Sequence, residues 1–316
     1  MFIQNFYEDF DTVATKVKEI TDTENTFLIE PGTDGYDKAL GLANYSDYGF
    51  KTLGMTVGFP APFIQKVAET NPELAEKIIS DRMDNYFLRD GGPSFYGREF
   101  LGKIQGCVSN KYAYFDDNEV LDVLDSSPIK NLQFQHTLIT PERLHLRAID
   151  KEPFKINGDD SNLFFVFFID NSMVGQSSFK VRLGLFRQAC SNGLIVSNGE
   201  FIMCRQIHKG TKDISAEFNA SLEFLAEKKD TIKGMIMNST ATPAQIEELA
   251  EEYRKDYLSK KLLLNKSEVE KVLNLYTITY GGKTKWAMTN AITEFARDIK
   301  DINRRTVLES KALAVA

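Results

Sequence analysis

The stretch that decides the fold runs from Asn162 to His208: NLFFVFFIDNSMVGQSSFKVRLGLFRQACSNGLIVSNGEFIMCRQIH. It begins with the longest apolar run in the chain, Leu163–Ile169, and continues through a polar turn into an alternating segment, Phe179–Phe186. A short hairpin pattern follows over Val196–Phe201. Aromatic and β-branched runs separated by Asn, Ser and Gly are typical of adjacent antiparallel strands. The sequence therefore predicts an antiparallel sheet at the centre of the protein.

Further strand-like runs precede this sheet, at Glu99–Tyr114, Leu132–Ile139 and Arg143–Ile149. The segment Glu30–Leu53 is rich in Gly, Asp and Tyr without a sustained period, which predicts a loop with short strands. The residues Tyr86–Leu88 predict one more short strand, because aromatic residues favour extended backbone. Together these runs extend the predicted sheet toward the N-terminus.

After Gly210 the apolar residues recur at three- and four-residue intervals, which predicts helices. Thr242–Gln245 and Ser267–Glu270 have the spacing of capping boxes, and Asp116 is placed to cap another helix. The predicted fold is α+β, with an antiparallel sheet body and a helical C-terminal third. Its expected regions are an N-terminal helical and loop region (1–80), a β-rich α+β core (81–212) and a C-terminal helical region (213–316).

The composition predicts a soluble protein of a reducing cytoplasm. Of the 316 residues, 42% are hydrophobic, which is enough for a sizeable core. Three cysteines do not suit a disulfide framework, and the first residues lack the basic and apolar regions of a signal peptide. The longest apolar run is far shorter than the roughly 20 residues that cross a bilayer. We therefore expect no membrane partner.

Charge is distributed unevenly along the chain. The net charge is −7, yet the segment from Arg254 onward carries 13 Lys and Arg against 7 Asp and Glu. An overall acidic protein does not coat nucleic acid through bulk charge. A basic C-terminal segment on an acidic body instead suggests a polyanion or an acidic protein surface as its partner. The alternative is that these charges form the solvated faces of terminal helices.

Basic and aromatic residues alternate around the predicted sheet. Such residues on an exposed sheet face stack bases and contact phosphates in single-strand binding proteins. Lys180 and Arg182 share strand parity and should point to one side, whereas Arg187 falls on the other parity. The alternative is a half-buried sheet with a charged solvent face. The nucleic-acid-binding candidates are Lys180, Arg182, Arg187, Arg205, His208 and Lys209.

Other patterns in the sequence give only weak support for a metal site or a catalytic site. Cys190, Cys204 and His208 have a spacing that offers three zinc ligands, but a fourth ligand has no clear source. Acidic groups at Asp116–Glu119 and Asp159–Asp160 suit a magnesium-dependent nuclease, although a helix start and a surface turn explain them equally well. His136 and His145 lie in strand patterns and are expected to be ordinary sheet residues. We therefore predict no catalytic residue, metal or cofactor.

Three segments in order resemble a known family. They are Cys107–Tyr112 with Phe115–Asn118 (CVSNKY and FDDN), Arg187–Leu194 (RQACSNGL) followed by His208, and Trp286–Glu294 (WAMTNAITE). This set is similar to the phage- and plasmid-like proteins of domain of unknown function 932. The resemblance covers the chain from about residue 85 onward and implies a mobile-element setting in a host cytoplasm.

The resemblance implies no catalytic residue, because the family has no assigned activity. The matched positions are candidates only. They have structural explanations as well: Asn192 suits a tight turn, and Trp286 and Asn290 lie one helical turn apart. The family-motif candidates are Cys190, Asn192, Trp286, Asn290 and Glu294, together with Arg187 and His208.

The leading functional hypothesis is a non-enzymatic protein of a mobile element. It would bind or anneal single-stranded DNA through the sheet face and the basic C-terminal helices, with a homo-oligomer as a further expectation. The first alternative is a protein-interaction factor that binds or inhibits a host protein through the acidic body. The second alternative is a metal-dependent nuclease.

Overall fold

The computed structural model describes residues 8–127, 129, 132–135, 137–156, 159–187, 192–195, 202–209 and 213–316. Within these ranges it has two antiparallel sheets and a helical C-terminal part, which confirms the α+β fold. The strands are β1 Asn25–Ile29, β2 Phe95–Phe100, β3 Lys103–Ser109, β4 Leu132–Phe134, β5 Leu138–Thr140, β6 Arg143–Asp150, β7 Phe154–Ile156, β8 Asp159–Asn171, β9 Phe179–Arg187, β10 Asn192–Ile195 and β11 Ile202–Gln206. The helices are α1 Phe10–Thr21, α2 Asp34–Leu40, α3 Asp47–Val57, α4 Ala61–Ala68, α5 Pro72–Asp84, α6 Asp117–Ser126, α7 Ile214–Ala241, α8 Glu251–Leu262, α9 Lys266–Asn274, α10 Lys285–Arg297 and α11 Ile302–Val315.

The large sheet is organised by β8, which pairs with β6 on one side and β9 on the other. Successive side chains of a strand point to opposite faces, so each of these strands contributes to two different surfaces. Phe165 and Phe167 of β8 and Leu183 of β9 lie on the inner face and are buried in the main core with helices α6, α7 and α10. Fully burying a side chain of this size contributes about 1.5–3 kcal/mol. This inner face therefore fixes the strand register.

The outer face of the same sheet carries charged side chains toward one end and a small buried apolar cluster, Ile149, Val166 and Phe168, beside them. In the register, Asp170 of β8 lies between His145 of β6 and Lys180 of β9. Two residues earlier in β8, Phe168 lies between Arg147 of β6 and Arg182 of β9. The predicted common orientation of Lys180 and Arg182 follows from this alternation. The charged outer face is where the candidate site lies.

The small sheet has the order β1-β2-β3 and approaches the large sheet through a close backbone contact. A Cβ atom placed on Gly106 of β3 would lie 2.6 Å from the Cβ of Val174, in the turn between β8 and β9. A contact that short is incompatible with any larger residue, so glycine is required here. Phe100, Met173 and Val174 form a small buried cluster at this junction. The two sheets therefore face each other with a narrow space beside the junction.

The C-terminal helices pack on the large sheet and do not stand apart from it. Residues of α10 and α11 belong to the same buried cluster as the inner face of β8 and β9. Several of the basic side chains in this segment are held in ion pairs, among them Arg304 with Glu268 and Lys255 with Glu270. Carboxylates of the same segment therefore neutralise part of its excess positive charge.

Several local predictions were wrong. Glu30–Leu53 is mostly helical, because Thr33 and Ser46 cap α2 and α3 and because Gly49 lets α3 approach β3 closely. A glycine-rich helix that packs tightly shows no clear hydrophobic period. Tyr86–Leu88 continues α5 as a π-helical turn, Asn85–Arg89. There Phe87 stacks on Phe95, so tertiary packing overrides the strand preference.

Two predicted helix starts also differ from the structure, whereas a third is confirmed. Thr242 ends α7 and does not begin a helix, and a 3₁₀ turn follows it. The capping box near Ser267 is formed two residues earlier, by Asn265 and Glu268. Asp116 caps α6 by accepting a hydrogen bond from the amide of Asn118, as predicted. The predicted hairpin over Val196–Phe201 lies outside the described residues.

Candidate functional site

A cleft with a volume of about 810 Å³ lies between the two sheets. One wall comes from α3 and β3, with Tyr48 and Thr52 facing the space. The other wall comes from the turn between β8 and β9, from the outer face of β9 and β11, and from His208. Asn303, in the first turn of α11, closes one end. The cleft therefore draws its walls from both sheets and from the C-terminal helices.

The ionised groups of the cleft are all cationic. Arg143, Lys180 and Arg205 line it, and no Asp or Glu is among its described lining residues. Lys180 and Arg205 are direct partners in the register of β9 and β11. Two of the predicted binding residues therefore lie side by side. Like charges directly opposite each other on a sheet repel, so this pair concentrates positive potential in the cleft.

Behind the cleft, Asp170 is the hub of a buried charge network. Its Oδ1 accepts a hydrogen bond from Arg143 Nη2 at 2.7 Å and lies 2.9 Å from His145 Nδ1. Its Oδ2 accepts from Arg182 Nη2 at 2.6 Å. Burial alone would raise the pKa of Asp170, but the hydrogen bond and charge of His145, the charge of Arg182 and the hydrogen bond from Arg143 hold it well below its usual range. Asp170 is therefore ionised and holds Arg143 and Arg182 in place.

The network leaves a net positive charge next to the cleft. Burial lowers the pKa of Lys180, and the nearby charges of Arg182 and Arg205 lower it further against the opposing effect of Asp170. One carboxylate thus faces several cations. A negatively charged ligand in the cleft would remove this repulsion.

His208 presents a hydrogen-bond acceptor to the cleft. Its Nδ1 lies 3.0 Å from the carbonyl oxygen of Ala113, so Nδ1 carries the proton, and its Nε2 has no partner among the described residues. The imidazole stacks on Tyr112 with ring centroids 5.0 Å apart. Burial lowers the pKa of His208. A neutral imidazole with a free Nε2 lone pair accepts a hydrogen bond from an N–H or O–H group of a ligand.

The structure separates the other predicted binding residues. Arg182 is bound to Asp170 beneath the cleft, and the exposed Lys209 lies beside the lining residues but is not one of them. The backbone of Arg187 pairs with Leu163 at the far end of β9. The side chains of Arg187 and Asn192 and the whole of Cys190 lie outside the described residues. The cleft therefore unites Lys180, Arg205 and His208 from the predicted set.

The remaining family-motif residues, Trp286, Asn290 and Glu294, make contacts within the helical part of the chain. Asn290 Nδ2 donates to the carbonyl oxygen of Trp286 at 3.0 Å, one turn earlier in α10. Glu294 accepts a hydrogen bond from the hydroxyl of Tyr280, which anchors α10 to the π-helical turn Leu275–Thr279 and the residue after it. None of these α10 residues lines the cleft. They stabilise the helical part that packs on the sheet.

Sequence reasoning missed the two residues that organise the site, Arg143 and Asp170. Both lie at ends of predicted strands, but their contact depends on how β6 pairs with β8. The sequence contains part of the information needed to find this site. Arg143, His145 and Arg147 alternate with apolar residues in β6, which indicates that this strand has a polar face. Ser177 was also missed; its buried Oγ lines the cleft and has no partner in the described part of the chain.

Two acidic residues of the nuclease hypothesis, Asp116 and Asp117, make structural contacts at the start of α6. Asp116 is the helix cap, and Asp117 is buried with its Oδ1 accepting from Asn171 Nδ2 at 2.7 Å. The described residues contain no group of three or more His, Cys, Asp or Glu side chains placed to hold a metal ion. The side chains of Asp159, Asp160 and Cys204 lie outside the described residues.

The sequence pattern of one protein family, described as Domain of unknown function (DUF932), matches residues 105–313. The matched segment begins in β3 and ends in α11, and it contains every cationic side chain of the cleft, whereas α3 precedes it. No curated protein and no solved structure matches the chain. Among the described residues, no helix has both the length and the apolar character needed to span a membrane.

Proposed function

The chain belongs to the family described as Domain of unknown function (DUF932), whose name assigns no activity, and we propose from the cleft that it binds single-stranded DNA. One observation carries the proposal. Three cationic side chains, Arg143, Lys180 and Arg205, converge on a concave space whose described lining has no carboxylate. Phosphates are the ligands that such a groove attracts along a nucleic-acid backbone.

The charge of the network supports binding of a polyanion. Asp170 is the one carboxylate beside Arg143, Arg182 and Lys180, so it offsets only one of their positive charges, and no carboxylate is among the described lining residues of the cleft. Neutralising such cations with phosphates releases condensed counterions from the strand, and this release drives binding in low salt. The acidic remainder of the chain restricts the attraction to this region.

The shape of the site favours a single strand over a duplex. Proteins that read duplex DNA insert a projecting helix or ribbon into a groove. This site is instead a cleft walled on both sides, and Tyr48 and Tyr112 contribute aromatic rings to its lining. Positively charged grooves with aromatic walls suit a flexible strand whose bases are unpaired. His208 Nε2 and Ser177 Oγ add hydrogen-bonding groups for base edges or sugars.

The cellular role and the oligomeric state of the protein are part of the same proposal. The resemblance to phage- and plasmid-like proteins supports a non-enzymatic role in annealing or protecting strands of a mobile element in the host cytoplasm. Annealing brings two strands together, and a homo-oligomer with several clefts would serve that purpose.

The test is an anisotropy titration of the purified protein against labelled single-stranded and duplex DNA. We expect tighter binding of the single strand, with an affinity that falls steeply between two salt concentrations. The double substitution Lys180→Ala and Arg205→Ala should weaken binding by roughly a hundredfold, about tenfold for each cation that is removed.

A matched control removes the same charge elsewhere. Lys66 and Lys77 are exposed on α4 and α5 and do not line the cleft. Replacing both with alanine should leave binding within about twofold of the unmodified protein, because neither side chain lines the cleft and salt screens exposed charges. Equal loss in both double variants, or no binding at low salt, contradicts the proposal. A flat titration would favour a host protein as the partner.

A further inference from the structure

A second pocket lies on the same outer face of the large sheet. It has a volume of about 340 Å³ and lies between β6 and the loop that joins α10 to α11. We call it the arginine pocket, defined by Arg147, Arg297, Lys300 and Arg305, with His145 beside them. Arg143 of β6 lines the cleft and Arg147 of the same strand lines the arginine pocket, so the two spaces are neighbours.

The floor of the arginine pocket is a buried triad with unequal charges. Glu309 of α11 is fully buried, and it accepts from Arg147 Nη2 at 2.8 Å and from Arg305 Nε at 2.9 Å. Arg147 is itself almost fully buried, with 4% of its side chain exposed. Guanidinium groups stay charged in proteins, so two positive charges share one carboxylate.

The same two arginines have donors that the triad does not use. Arg147 Nε and Nη1 and Arg305 Nη2 are buried and have no hydrogen-bond partner among the described residues. Leaving a buried charged donor unsatisfied costs several kcal/mol. Burial also lowers the pKa of Arg147 against the opposing effect of Glu309. An anion in the pocket would supply both the missing acceptors and the missing negative charge.

The rim of the pocket adds to the positive charge. Lys300 is exposed and faces the same space, and Arg297 lies beside it. The only carboxylate in the described lining is Asp298, which is exposed and lies 3.3 Å from Arg297 Nε. An exposed pair of this kind contributes little to stability and attracts cations weakly.

We propose that the arginine pocket binds a phosphate group, either free inorganic phosphate or the terminal phosphomonoester of a nucleotide or strand. Phosphate suits this site because its oxygens accept the paired donors of guanidinium groups with good geometry. Its oxygens can accept from donors of Arg147 and Arg305 that Glu309 does not engage. This site is independent of the cleft, since it uses different side chains and needs no strand in the cleft.

The first experiment titrates the full-length protein with inorganic phosphate by calorimetry, with chloride as a control at equal ionic strength. We expect saturable binding of one phosphate per chain, and an increase in the thermal unfolding temperature that chloride does not produce. The Lys300→Ala variant removes an exposed side chain and should weaken phosphate binding at least threefold. Arg305→Lys should weaken it at least tenfold, because lysine lacks the guanidinium fork.

Lys66→Ala on α4 is the matched control for charge and should bind phosphate as the unmodified protein does. Absence of saturable binding, or equal weakening in Lys300→Ala and Lys66→Ala, would overturn the proposal. Because Lys300 is exposed, this comparison does not depend on a variant that fails to fold.

A second arm identifies the source of the phosphate. If the pocket takes a strand end, a 5′-phosphorylated oligonucleotide should bind at least fivefold more tightly than its 5′-hydroxyl form, and Arg305→Lys should remove the difference. If the two oligonucleotides bind equally while inorganic phosphate binds, the pocket is a site for free phosphate. Phosphate binding without strand binding would contradict only the proposal that the cleft binds DNA. Strand binding without phosphate binding would contradict only the proposal that the arginine pocket binds phosphate.

Discussion

Lys180 of β9 and Arg205 of β11 are direct cross-strand partners, although both carry a positive charge. Like charges in this position destabilise a sheet, by about 0.2–1 kcal/mol in typical pairs. Asp170 offsets part of this repulsion at Lys180, and a negatively charged ligand in the cleft would offset the rest. The pair lies where the cleft opens between the two sheets, next to the buried carboxylate of Asp170.

The first prediction separates stability from binding at this pair. Arg205→Gln removes the repulsion, so the free energy of unfolding should stay the same or rise by up to about 1 kcal/mol. Binding of single-stranded DNA should weaken about tenfold in the same variant, because one of the cations that bind phosphate is removed. Urea denaturation and anisotropy measure the two quantities. A variant that loses stability and binding together would indicate a structural role for Arg205.

The second prediction concerns Asp170, which holds Arg143 and Arg182. Asp170→Asn leaves these arginines partly buried without a counter-charge, so it should lower the free energy of unfolding by about 3–5 kcal/mol at pH 7. Since the pKa of Asp170 is held below its ordinary value, its contribution is present above pH 4 and is lost as the pH falls through the folded pKa.

Urea midpoints at pH 7 and at pH 3, where part of this contribution is already lost, measure the effect, and Asp230→Asn is its control. Asp230 pairs with Lys233 at the surface and is 93% exposed, so the control should change stability by less than about 1 kcal/mol. Similar losses in both variants would contradict the assigned role of Asp170.

The third prediction concerns the buried carboxylate of Glu309. Glu309→Gln leaves Arg147 and Arg305 without their counter-charge and should lower the free energy of unfolding by about 3–5 kcal/mol. Phosphate in the buffer should restore part of this loss, because it supplies negative charge to the same arginines. Glu270→Gln, at the exposed pair with Lys255, should cost less than about 1 kcal/mol and show no rescue beyond that of the unmodified protein. Chemical denaturation in phosphate and in chloride distinguishes these outcomes.

The fourth prediction is a pH dependence set by Asp117. Burial, together with the charge of Asp116, raises the pKa of Asp117 to about 7 from its ordinary value of 3.8, against the hydrogen bond from Asn171. A carboxyl with a raised folded pKa favours the folded state when protonated. Its contribution is therefore present at pH 4 and is lost progressively as the pH rises to about 7.

Asp117→Asn keeps an acceptor for Asn171 and removes the titration. The variant should be more stable than the unmodified protein at pH 8, by about 2–4 kcal/mol, and should show a flatter profile between pH 4 and pH 7. Asp122→Asn changes an exposed residue of the same helix and should leave the profile unchanged. Parallel profiles for all three proteins would show that Asp117 is ionised throughout.

The sequence predicted the parts of the fold that depend on local pattern. The alternation in Phe179–Phe186 correctly placed Lys180 and Arg182 on one face, and the apolar run of β8 correctly marked the core strand. Contacts between strands were not predictable, because a one-residue shift in pairing would exchange the two faces. Asp170 and Arg143 meet only in the register that the core side chains impose. Helix α3 was missed because its tight packing requires glycine, which weakens the helical pattern.

The most direct test of the central claim is the salt dependence of single-stranded DNA binding in the unmodified protein and in the variant with Lys180→Ala and Arg205→Ala. If phosphates contact these two side chains, log affinity against log salt should be steep and negative, and the variant's slope should be smaller by roughly 1 to 1.5. The Lys66→Ala and Lys77→Ala control should keep the steep slope. Identical slopes for all three proteins, or no binding at low salt, would contradict strand binding in the cleft.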